Sequence, residues 1–136
     1  ELERKWIALE LDYRASCADI FCDSVQIQQV LLNLIVNAVD AMMLVDDRPR
    51  TLRLASSNPS PETLLFEVVD SGTGISPDVL RRVFDSFYTT KKEGMGMGLT
   101  ISKGIIHRHR GELKAENREG GGSRFWITLP VDNPAD

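Results

Sequence analysis

Only two cysteines, Cys17 and Cys22, occur in 136 residues. That is too few for a disulfide framework or a structural zinc site, so reduced cytosolic thiols are the default, and a redox pair is the minor alternative. No uninterrupted apolar run has the length of a membrane span. The most apolar stretch, 25–45, is broken by Gln26, Gln28, Gln29, Asn33, Asn37 and Asp40, which a bilayer would have to neutralise. It reads as a helix of a soluble domain, and no secretory signal opens the chain. Excess positive charge is missing too: the net charge is -4 and the pI about 5.2, which argues against a broad electrostatic grip on nucleic acid. Internal repeats and low-complexity linkers are absent.

What is present suits one compact α/β domain over residues 1–136. At 42% hydrophobic content a chain of this length buries one sizeable core and leaves little room for a second. Charge is unevenly spread: from Arg81 to Arg110 there are seven basic residues against two acidic ones. That local excess suits phosphate handling or, equally, a solvated helix face. The abrupt start at ELERKW reads as a fragment of a longer protein, so a membrane segment upstream would leave no trace here.

Strands and helices alternate along the chain. Residues 5–13 predict an edge strand and 18–22 a short second one. A helix follows, capped by Asp23 or Ser24, with Ile27, Val30, Leu31, Leu34, Ala38, Ala41, Met42 and Val45 as its core face. Residues 51–55 and 63–70 predict a hairpin pair around the turn-forming SSNPSP. Ser76-Pro77-Asp78 opens a short helix, with Pro at its first position, and 97–110 predicts another that Gly111 is placed to stop. Strands over 112–117 and 124–129 flank EGGG, and the polar tail 131–136 is expected to be flexible.

Four blocks carry chemistry. Asn33, Asn37 and Asp40, at i, i+4, i+7, share one stripe beside the apolar face of the long helix. An amide oxygen there is a suitable hard ligand for Mg²⁺, although a plain polar edge would look the same. Asp70 ends an apolar strand and leads into Ser-Gly-Thr-Gly. Its carboxylate can accept from the exocyclic amine of adenine and would oppose the carbonyl of guanine. The competing reading is an ordinary strand-to-helix turn. Gly72 and Gly74 would let a flat base approach the backbone through positive φ and the lack of a Cβ. Gly94, Gly96 and Gly98 match neither a dinucleotide fingerprint nor a Walker loop. They feed a helix start whose free amides suit phosphate, or form a simple hinge. In the intervening VFDSFYTTKKEGMG, Phe84 and Phe87 anchor a lid or belong to the core, and Thr90, Lys91 and Lys92 offer hydroxyl and ammonium groups to a triphosphate.

In this order, NLIVNAVDAM, DSGTGI, FDSFYTTK and GMGMGLTISK resemble the catalytic ATP-binding domain of two-component sensor histidine kinases, within the superfamily of gyrase, Hsp90 and MutL. The resemblance runs from about Asp19 to Pro130. It implies an α/β fold of the Bergerat type: a two-layer sandwich whose mixed sheet of about five strands is covered on one face by about three helices. It also implies ATP and Mg²⁺ as cofactors. Asn37 becomes the Mg²⁺ ligand, Asp70 the adenine selector, and Gly72 and Gly74 the base-side turn. Thr90, Lys91, Gly94, Gly96, Gly98 and the amide of Leu99 serve the phosphates. Asn33, Asn37 and Lys91 are the catalytic candidates. Asn33 stands where ATP-hydrolysing members carry a Glu that activates water, and an amide cannot deprotonate water.

Two departures stand out. Asp40 replaces a Lys or Arg common three residues after the magnesium Asn, and His109-Arg110-Gly111 stands where His-Gly-Gly is usual. NAVDAM is similar to the subgroup of soluble oxygen- and nitrogen-responsive kinases. The acceptor histidine of the family lies in a separate helical domain, and His107 and His109 lack its motif; both read as helix-end residues. The implied partners are therefore the dimerisation and phosphoacceptor domain of the same parent protein and, through it, a response regulator, with no nucleic acid and no direct membrane contact. The implied setting is the cytoplasm, with a monomeric isolated domain and a homodimeric parent. Two other readings remain: a regulatory nucleotide-binding module without phosphotransfer, and an ATPase switch of the gyrase or Hsp90 kind.

Overall fold

The structure is a computed structural model describing residues 6–16, 19–84 and 95–132. Its elements are β1 (Ala8–Tyr13), α1 (Ser24–Met43), β2 (Thr51–Ser60), β3 (Thr63–Asp70), α2 (Pro77–Arg82), α3 (Met95–Arg108), β4 (Glu112–Asn117) and β5 (Ser123–Pro130). The strands form one mixed sheet in the order β1-β2-β3-β5-β4, in which β1 runs parallel to β2 and every other pair is antiparallel. Cross-strand register puts Leu52, Val68, Phe125, Ile127 and Leu113 on one face, where they meet the buried residues of α1 and α3. The other face is polar. There Arg53 pairs with Glu10 at 3.1 Å and Asp12 at 2.5 Å, and Arg124 pairs with Glu67 and lies over the Trp126 ring. One face buried and one solvated gives the expected two-layer α/β sandwich.

Helix α1 follows from its sequence. Asp23 Oδ1 accepts from the amides of Val25 and Gln26 as its N-cap, and Ile27, Val30, Leu34, Ala38 and Met42 form the buried stripe. With a mean hydropathy of 1.2 over 18 residues, α1 is long and apolar enough to cross a membrane, yet its stripe is packed in the core. No basic residue lies in its last turn. Arg50, from beyond the helix, fills that role by donating to the carbonyls of Met42 and Val45.

Several boundaries differ from expectation. Residues 19–22 are not a strand; Ile20 and Cys22 pack against the core while Phe21 is 90% exposed. Strand β2 continues through SSNPSP to Ser60, because the register shift between Ser57 and Ser60 leaves Pro59 at an irregularity that needs no ladder N–H. Helix α3 starts at Met95 and ends at Arg108. Arg110, not Gly111, takes the left-handed turn, with φ 65. Gly111 is required for another reason: a Cβ there would lie 2.1 Å from the Thr128 carbonyl. His109 ties the helix layer together, accepting from the Asp23 amide at Nε2 and bonding the Ile105 carbonyl through Nδ1. The tail expectation fails at its start, since Val131 is buried and bonds Glu62, and Asp132 bonds Asp19. Residues 133–136 lie outside the described residues.

Arg14 and then Arg53 hold the Asp12 carboxyl below its ordinary value of 3.8. A depressed folded value stabilises above the unfolded value and is lost as pH falls through the folded one. Asp12→Asn is therefore expected to lower stability slightly and by a constant amount above pH 3.8, and to flatten the further loss below it, measured by circular dichroism at low salt.

Candidate nucleotide site

A cavity of about 240 Å³ opens between α1, the loop after β3, and α2. Asn37, Asp40 and Ala41 line it from α1, Asp70, Thr73 and Gly74 from the end of β3 and its loop, and Leu99, Ser123 and Phe125 from the core side. A larger cavity of about 500 Å³ lies at the far end of α3, beside Cys22, His109 and Arg110, and is lined by none of the candidate nucleotide, phosphate or metal residues.

Asp70 is the chemical centre of the smaller cavity. It is 1% exposed, and its carboxylate is held by three donors. Oδ1 accepts from the Gly72 amide at 2.8 Å and the Ser123 amide at 3.3 Å, and Oδ2 accepts from the Ser123 hydroxyl at 2.8 Å. A carboxylate offers about four acceptor sites. The bonds in place satisfy most of a buried charge while leaving one site for a donor in the cavity.

The two glycines beside it act differently. Gly74 has φ +79, as a turn glycine should. Gly72 has no positive φ; a Cβ there would lie 2.7 Å from Ala41, so its role is close packing of the loop on α1. Asn37 lines the cavity one helical turn beyond Asn33. Asn33 points elsewhere, donating to the Ser102 hydroxyl at 3.2 Å and the Gly98 carbonyl at 3.5 Å, and so ties α1 to α3. Gly96 and Gly98 lie inside α3, not in a segment before it. Leu99 is a full turn into that helix, so the unpaired amides lie ahead of it, and it enters the site by its side chain. Phe84 packs edge-on to Phe125, with ring centroids 6.3 Å apart, under the Lys103 ammonium. Phe87, Thr90, Lys91, Lys92 and Gly94 lie outside the described residues.

Residues 22–133 match the family model described as histidine kinase-, DNA gyrase B- and HSP90-like ATPase. The chain belongs to this ATPase family. It is 45% identical over 113 residues to the sensor histidine kinase TmoS of Ectopseudomonas mendocina, covering 82% of this chain and 12% of that protein. It is 42% identical over 112 residues to the sensor protein FixL of Bradyrhizobium diazoefficiens, covering 82% and 22%. The chain thus spans under a quarter of either relative. Among solved structures, full-length ShkA in complex with AMPPNP superposes with a TM-score of 0.77 at 26% identity, covering 95% of this chain and 27% of that one. Histidine kinase ThkA in complex with response regulator protein TrrA superposes at 0.74 and 27% identity, covering 93% and 34%.

In this ATPase-family domain, four residues outside the motif blocks complete the site: Ser123 on Asp70, Arg118 on the Asp70 carbonyl, Arg48 on the Ser71 and Gly72 carbonyls, and Asn117 on Ile75. Sequence spacing carried no signal for them. Ser123 meets Asp70 only because β5 inserts beside β3, a pairing that no local pattern announces.

Proposed function

We propose that this domain binds Mg-ATP, with adenine on Asp70, and presents the γ-phosphate to a histidine on a separate dimerisation and phosphoacceptor domain of its parent protein, in two-component signal transduction through a response regulator. The observation that carries this reading is the buried Asp70 carboxylate, with one acceptor site left in a cavity that Asn37 also lines. The names of TmoS and FixL and the AMPPNP bound by ShkA support it.

The donor set fits Mg²⁺. The Asn37 amide oxygen is a hard ligand, and among the described residues no group of three His, Cys, Asp or Glu side chains competes as an all-protein cage. That matches an ion that takes its remaining oxygens from phosphates and water. When bound, Mg²⁺ would neutralise charge on the phosphates. The chain's own part is placement: Asp70 reads the base, Gly96 and Gly98 bring the first turn of α3 to the phosphates, and Lys91 and Thr90 supply donors. Asn33 cannot take a proton from water, and its amide is already engaged with Ser102 and Gly98, which favours transfer over hydrolysis. The setting we infer is cytoplasmic.

Two results test this. The chain with Mg-ATP should release no phosphate at steady state, yet should form acid-labile phosphohistidine on a supplied phosphoacceptor domain of a parent protein. Binding without transfer would favour the regulatory-module reading, and steady phosphate release the ATPase switch. Asn37→Ala should weaken Mg-ADP binding at least about tenfold while leaving Mg-free ADP binding unchanged in calorimetry. Equal losses with and without the ion would remove Asn37 from the metal.

A further inference from the structure

The loop that walls the cavity is anchored at its start by its own Ser71 hydroxyl, which accepts from the Thr51 amide and donates to the Pro49 carbonyl, and otherwise mainly by side chains from outside it. Three consecutive carbonyls each receive a guanidinium N–H: Asp70 from Arg118 at 2.8 Å, Ser71 from Arg48 Nε at 3.1 Å and Gly72 from Arg48 Nη2 at 2.5 Å. At the far end, Asn117 clamps both main-chain groups of Ile75. Its Oδ1 accepts from the Ile75 amide at 2.7 Å and its Nδ2 donates to the Ile75 carbonyl. Between these anchors lie Thr73 and Gly74, which line the cavity and, among the described residues, make no hydrogen bond to another element. The Arg48 guanidinium lies against the turn after β4, where a Cβ on Gly121 would come within 3.2 Å of its carbon.

We propose that Asn117 and Arg48 are positioning residues that set the base-side loop, Ser71 to Ile75, in its nucleotide-accepting shape before ligand arrives. The chemistry supports this division of labour. A planar fork matches two adjacent carbonyls, which a lysine ammonium cannot do from one point. A primary amide pairs with a peptide group as a neighbouring strand would, so it fixes the Ile75 peptide plane and with it the turn at Gly74. A loop ordered in advance spares the ligand that ordering cost, and affinity should rise accordingly. This inference rests on the nucleotide reading above.

The test uses the 136-residue chain and its Asn117→Ala, Arg48→Lys and Arg48→Gln variants, with ADP and inorganic tripolyphosphate as probes. Calorimetry should show ADP binding weakened about five- to tenfold in Asn117→Ala and in both Arg48 variants, with tripolyphosphate competition unchanged. Failure of Arg48→Lys to rescue separates fork geometry from charge. Amide exchange should show Ile75 protected in the unliganded parent chain and unprotected in Asn117→Ala, while amides of α1 keep their protection. ADP binding by Asn117→Ala equal to that of the parent chain overturns the brace and leaves the nucleotide reading standing. No ADP binding by the parent chain, with Ile75 still protected, overturns the nucleotide reading and with it this use of the brace.

Discussion

Replacing Asp70 with Asn is expected to weaken ADP binding by about 3 kcal/mol, on the order of a hundredfold in Kd, and to erase the preference for adenine over guanine. The direction follows from the hydrogen bonds around the side chain. The amides of Gly72 and Ser123 both point at Oδ1 and can only donate, so an Asn must place its oxygen there. Its NH₂ then takes the position of Oδ2, facing the Ser123 hydroxyl, which can turn to accept. The cavity thereby gains a donor where it had an acceptor. An adenine amine would meet another donor, whereas a guanine carbonyl would meet a partner. Calorimetry with ADP and GDP decides the matter, alongside thermal melts that report whether the fold survives. An unchanged ADP affinity in a folded Asp70→Asn protein would remove Asp70 from base recognition.

Gly122→Ala is expected to be the most damaging single methyl group in the turn after β4. Gly122 has φ +92, and a Cβ there would sit 2.0 Å from the Asp70 carbonyl oxygen and 2.9 Å from the Ser71 Cα. Both obstacles are backbone, so no rotamer change relieves them. We expect a loss of about 4 kcal/mol and a fall in Tm of about 15 °C for a domain of this size. Gly120→Ala is the internal control. It shares the left-handed backbone, with φ +91, but has nothing within 4 Å of its Cβ. Only the cost of that conformation remains, about 1–2 kcal/mol. Melts of the two variants separate the effects, and equal shifts would show that backbone conformation, not close approach to Asp70, explains both.

Legibility in the sequence followed the range of the interaction. Helix α1 could be read because its cap and its buried stripe repeat within 20 residues, and β4 occupies 112–117 as expected because its apolar alternation is local. SSNPSP misled because turn-forming residues also suit a bulged strand, and the pairing of β2 with β3 outweighed their local preference. Asp70, Asn37 and Leu99 were legible as motif positions, and all three line one cavity. Ser123, Arg48, Arg118 and Asn117 were not. Each reaches the loop across 23 to 53 residues of chain, through sheet order and not through spacing.

That sheet order has a consequence for how the domain comes into being. Strand β5 lies between β3 and β4 although it is made after both, so Ser123 and the turn that seats against Asp70 emerge after all the helices and the other four strands of the sheet. Until they arrive, β3 presents an open edge beside a carboxylate lacking two of its three donors. A nucleotide therefore cannot guide the early steps of folding. It can only stabilise the finished sheet by mass action, which makes closure of the last strand the step on which both solubility of the nascent chain and acquisition of ligand depend.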